Sequence, residues 1–124
     1  AWKAGFKIIY EPRAIVYHNA GATINKYLNA DEKIKYGFKN SLLFIWKNVT
    51  DTGLFLNHIF FLMARLVKGL LFFERKKALF LGFILAIKSL RKALIARRKA
   101  IKNFTLTDKE VLSILNEKNF YGKI

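Results

Sequence analysis

Residues 5–21 read GFKIIYEPRAIVYHNAG, and this stretch decides how the front of the chain is understood. Two short apolar runs, 6–10 (FKIIY) and 14–17 (AIVY), flank Glu11, Pro12 and Arg13. Both runs are rich in β-branched and aromatic residues, so each is expected to be a strand. Pro12 has a fixed φ and no N–H, which suits a turn between the runs and not a central ladder position. The second run ends on His18 and opens into Asn19, Ala20, Gly21 and Ala22, the kind of strand end where a rigid sheet presents chemistry. Just upstream, residues 1–4 look like the end of a helix, with Gly5 in the position that takes positive φ.

Outward from this stretch the pattern becomes helical. Residues 19–29 are small and polar and suggest a loop. From 31 to 48, Ile34, Phe38, Leu42, Ile45 and Val49 recur at steps of four, four, three and four, which makes one apolar face. Asn29 and Glu32 are spaced for a capping box at its start. Residues 50–53 (TDTG) break the pattern and offer an N-cap to the next segment.

Residues 54–73 form the most apolar window, interrupted by Asn57, His58, Arg65 and Lys68. A span needs about 20 mostly apolar residues, and Arg65 near the centre costs roughly 2.5–3.5 kcal/mol on insertion scales. Asn57, Arg65 and Lys68 fall near one helical stripe. The expectation is therefore a helix lying in the interface, its cations reaching toward headgroups. After a charged break at 74–77, the apolar run 78–87 is too short to cross a bilayer alone. It continues into a basic amphipathic helix to 103, with Phe83, Ile87, Leu90, Leu94 and Ile101 on one face. Thr107 and Glu110 then form a second capping box, opening a short helix to about Asn116.

The order of motifs resembles the C-terminal part of bacterial, membrane-associated family 2 glycosyltransferases, which have the GT-A fold and use nucleotide-activated sugars. Trp2, Lys3 and Gly5 match that family's helix end, Pro12 its turn, and Val16, Tyr17 and His18 its strand end. About 20 residues on, 36–44 (YGFKNSLLF) is similar to its Tyr-x-x-Arg/Lys-Asn-x-x-x-aromatic segment. The resemblance covers roughly residues 1–50 and, more weakly, the basic tail. The family's nucleotide-binding half, Asp-x-Asp motif and acidic base have no match here. The chain also begins without Met, so it is expected to be a piece of a longer enzyme.

The resemblance implies that His18 helps bind a divalent cation, Mn²⁺ or Mg²⁺, in the full-length enzyme. Imidazole suits such an ion as one ligand among carboxylates. From residue type alone a lone His is a structural residue. It also implies that Lys39 and Asn40 sit at the diphosphate or the acceptor, where a cation and an amide stabilise departing oxygens. Their plainer role is a solvated helix face. Tyr36 and Trp46 are expected to pack, and His58 to be a satisfied core or interface residue. No catalytic residue is expected in this chain itself.

Composition bears on partners. The 124 residues are 53% hydrophobic with 12 Phe, yet carry a net charge of +15. Of 23 Lys and Arg, 12 lie in residues 51–103 against two acids. Positive charge and apolar surface in one region suit an anionic membrane. The membrane-binding residues expected are Arg65, Lys68, Lys88, Arg91, Lys92, Arg97, Arg98 and Lys99. Nucleic acid is not expected, for want of any docking motif. Cysteine is absent, which excludes disulfides and thiolate chemistry.

Together these readings give an α+β fragment: a strand pair from the edge of a GT-A domain, then mostly amphipathic helices. Residues 1–50 would end the catalytic domain, 51–103 would be membrane-associating helices and 104–124 a short helix and tail. The full enzyme would transfer sugar from a nucleotide donor to a glycan or lipid-linked acceptor. It would sit peripherally on the cytoplasmic face of the cell membrane. The alternative is a non-catalytic basic helical module that binds anionic membrane or a partner protein.

Overall fold

The helix Ala30–Asn48 (α2) begins where the sequence says it should. Asn29 accepts from the Glu32 N–H at 2.9 Å, and the Glu32 carboxylate accepts from the Asn29 N–H at 3.1 Å. This reciprocal cap satisfies two donors that a helix start leaves open. Phe38, Leu42 and Trp46 form its buried stripe, with Ile34, Ile45 and Val49 half-buried beside it. The expected face is thus the real one, and Trp46 packs as expected.

The computed structural model describes residues 1–9, 11–17 and 21–116. Ahead of α2 come a 3-10 turn, Trp2–Ala4, and a short helix, Ala22–Tyr27 (α1). After it come Thr52–Phe72 (α3), Lys76–Lys88 (α4), Leu90–Ile101 (α5) and Asp108–Asn116 (α6). Asp51 caps α3 by accepting from the Leu54 N–H at 2.9 Å. Thr107 and Glu110 close the capping box of α6.

α2 is the element on which α4 and α5 pack. α4 lays Ala78, Leu79, Gly82 and Ala86 against it, and α5 adds Ala93. Ala78, Gly82 and Ala86 recur every four residues, so the small side chains share one face and the two helices come close. A Cβ on Gly82 would stand 2.5 Å from the Lys35 carbonyl oxygen. α3 joins through Leu62 and Gly69, the latter directly under Leu79. The apolar run expected as one helix from 78 to 103 is divided at Ser89, whose ψ of −2° departs from the helical value. Ala86 and Ala93, on either side of the division, are both buried.

The expected strand pair does not form. Among the described residues there are six α-helices and no strand, so the fold is all-helical and not α+β. The Pro12 turn is present: the Ala14 N–H donates to the Glu11 carbonyl at 3.1 Å, and Arg13 pairs with Glu11. Its flanks do not pair. Ile9, Val16 and Tyr17 are 85%, 80% and 97% exposed, so no apolar layer backs them. A hairpin that buries nothing is marginal in water. Residues 22–27, expected as loop, are helical instead.

Candidate functional site

Two exposed surfaces stand out. The first is α3. Its inner stripe, with Phe55, His58, Leu62, Leu66 and Gly69, turns toward the core. The opposite stripe carries Leu56, Phe60, Met63, Val67 and Leu71, all exposed. By length and composition α3 could cross a bilayer, and little of it is buried.

The second is α5 with the end of α4. Lys88, Arg91, Lys92, Arg98 and Lys99 are all exposed there, with no carboxylate partner among the described residues. Ile95 and Leu94 stand among them, half-exposed. Between the two surfaces runs an apolar groove of about 400 Å³, lined by Trp46, Phe55, Ile59, Ile87, Leu90 and Leu94.

Arg97 does something other than expected. Its guanidinium turns inward and donates to the carbonyls of Trp46, at 3.0 Å, and Val49. Helix C-termini leave four carbonyls open and carry partial negative charge, so a cation fits there. Lys3 completes the same task by donating to the Asn48 carbonyl at 2.8 Å.

Arg65 likewise points to the protein. It lies over the Phe38 ring, 5.2 Å from the centroid, and lines a cleft of about 320 Å³ with Lys68, Gly69, Phe72, Phe73 and Leu79. Arg65 and Lys68 are both exposed. The structure thus brings Arg65 and Lys68 to one cleft on α3, while Lys39 and Asn40 belong to α2. Lys39 is half-buried at the edge of the α2 core stripe, and Asn40 is exposed. His18 lies outside the described residues.

His58 departs from expectation in one respect. Its ring packs near Phe55, but Nε2 is buried without a hydrogen-bond partner. Burial lowers its pKa. Among the described residues no three His, Asp or Glu side chains gather as a metal would require.

No local pattern marks the polar centre that joins Lys3, the α2–α3 junction and α6. Asp108 accepts from Lys3 Nζ at 2.8 Å, from the Thr50 and Asp51 N–H groups at 2.6 and 2.7 Å, and from Thr50 Oγ1 at 2.9 Å. Lys3 also sits over the Phe104 ring. Burial alone would raise the Asp108 pKa. The Lys3, Asp51 and Thr50 hydrogen bonds outweigh it and hold the carboxyl at about 2. The arrangement positions α6 and the α2–α3 junction.

Comparison with protein-family models, with curated proteins and with solved structures returns no match.

Proposed function

We propose that this chain is the membrane-attaching C-terminal part of a family 2 glycosyltransferase. The apolar outer stripe of α3 enters the lipid interface, and the cations of α4 and α5 meet anionic headgroups. The observation that best supports attachment is that stripe: Leu56, Phe60, Met63, Val67 and Leu71 lie exposed in the same molecule as five exposed cations without a carboxylate partner among the described residues. Apolar burial and electrostatic attraction add in such binding, with each Lys or Arg near the surface contributing about 1 kcal/mol.

The sugar-transfer half of the proposal rests on the motif order of residues 1–50. In that reading the acceptor oxygen forms a bond to the anomeric carbon as the bond to the nucleoside diphosphate breaks. The acceptor proton goes to an acidic base outside this chain. Residues 1–50 border the catalytic domain, and α3 to α5 keep it beside a lipid-linked or glycan acceptor.

Two measurements test the two halves separately. Flotation of the whole chain with liposomes should recover it with anionic vesicles and far less with neutral ones. Equal recovery from both removes the electrostatic half of the attachment. The reading frame upstream of Ala1 should encode a nucleotide-sugar domain with an Asp-x-Asp motif. Its absence, with flotation intact, leaves a non-catalytic membrane-binding module.

A further inference from the structure

We propose that the cleft around Arg65 is a binding site for the phosphate of an amphiphile, whose hydrocarbon lies along Phe72, Phe73 and Leu79. Arg65 lines two adjoining cavities, about 320 and 240 Å³, which share Arg65, Phe73 and Leu79 as walls. Lys68 borders the first and Lys33 the second. The Arg65 guanidinium is held over Phe38 and makes no hydrogen bond or ion pair among the described residues. A guanidinium fixed against an aromatic face, without an anion, keeps its planar fork of donors for an incoming ligand. Phosphate can take that fork with two oxygens and leave a third for the Lys68 ammonium.

The walls select the rest of the ligand. Phe72 is 83% exposed and gives the cleft an open apolar wall. Gly69 lets Leu79 pack directly against the α3 backbone, where a Cβ would clash, so Leu79 forms a closed apolar wall of the cleft. Free phosphate satisfies the cations alone, whereas an amphiphile also covers the aromatic walls. The site rests on the membrane reading for the origin of its ligand, which is either a bilayer phospholipid or a polyprenyl phosphate that carries a glycan.

The test is calorimetric titration of the whole chain with monomeric dioctanoyl phosphatidic acid, dioctanoyl phosphatidylcholine and inorganic phosphate. Saturable binding of the phosphatidic acid is expected, tighter than either of the others. Arg65→Gln and Lys68→Gln should each weaken it about tenfold, the scale of a lost charge-assisted hydrogen bond. Lys68 is exposed, so its variant reports on the site even where Arg65→Gln perturbs folding. Arg98→Gln with Lys99→Gln, on α5, should leave this affinity unchanged while lowering recovery with anionic vesicles. Equal affinity in Lys68→Gln, equal loss in the α5 variant, or inorganic phosphate binding as tightly as the amphiphile overturns the proposal. Saturable binding without vesicle flotation would defeat membrane attachment and leave the site standing. A short polyprenyl phosphate run beside the phosphatidic acid separates the sources: preference for the prenyl chain assigns a glycan carrier, and equal affinity assigns any phosphate monoester lipid, each sustaining the site.

Discussion

Lys3 Nζ lies 2.8 Å from Asp108 Oδ1, so the first turn of the chain is bonded to the first turn of α6. The pair is mostly shielded, with side chains 13% and 11% exposed. Between them they also hold Asn48, Thr50 and Asp51, the junction where α2 ends and α3 begins. Three separate segments therefore depend on one carboxylate.

That dependence sets an acid limit on stability. Asp108 has a folded pKa of about 2 against an ordinary 3.8. A depressed carboxyl contributes stability above its unfolded pKa and loses it as pH falls through the folded value. The contribution, about 2 kcal/mol, should be complete at neutral pH and fade between 3.8 and about 2. Urea unfolding across this range should show that loss. In Asp108→Asn the acid-dependent part should vanish, and stability at neutral pH should fall by about 2–4 kcal/mol, because Lys3 keeps its enclosure without a counter-charge.

Two glycines should respond in opposite directions to alanine. Gly82→Ala gains helix propensity of about 1 kcal/mol but drives a Cβ to 2.5 Å from the Lys35 carbonyl oxygen. Backbone cannot yield as a side chain can, so overpacking of about 1–3 kcal/mol should win and lower the melting temperature. Gly37, in the middle of α2, has open space around its Cα. Gly37→Ala should raise stability by about 0.5–1 kcal/mol. Thermal melts of both variants decide it. A stabilised Gly82→Ala would mean α2 and α4 do not approach as described.

Neighbouring arginines on α5 should divide stability from binding. Arg97→Ala removes the donor to the Trp46 and Val49 carbonyls and should cost about 1–2 kcal/mol of folding. Arg98→Ala removes an exposed cation and should leave folding within about 0.5 kcal/mol. It should instead weaken anionic-vesicle binding by about 1 kcal/mol, an effect that rising salt erases. Denaturation and flotation on the same two variants would expose any reversal of these roles.

The contrast between Arg97 and Arg98 shows how far the sequence could be read. Capping boxes at Asn29–Glu32 and Thr107–Glu110 were legible because both partners lie within one turn. The face of α2 was legible because burial repeats with the helical period. Arg97 looked like its neighbours, since its carbonyl partners are about 50 positions away and leave no local pattern. Lys3 and Asp108 were hidden for the same reason. The expected strands failed for a different cause: β-branched content describes residues that suit a sheet, and a sheet needs a backing layer that Ile15, Val16 and Tyr17 do not have here. The cationic and apolar character of the candidate surface was visible in composition, but Arg65 facing Phe38 was not.

The two sides of α3 provide the sharpest test of the attachment surface. Phe60 and Leu71 lie on the outer stripe, 70% and 67% exposed, while Leu62 on the inner stripe is buried. Phe60→Ser with Leu71→Ser removes no core contact, so the melting temperature should hold. Complete burial of one such side chain is worth about 1.5–3 kcal/mol. A headgroup-level helix buries them in part, so losing both should cut vesicle affinity by at least about tenfold. Leu62→Ala should do the reverse: it opens a cavity at a cost of about 2–5 kcal/mol to folding and leaves the lipid-facing stripe whole. Binding per folded molecule should then be unchanged. Were Phe60 and Leu71 to matter for folding and not for vesicles, the outer stripe would be a protein contact, and the helix would meet another polypeptide where lipid is proposed.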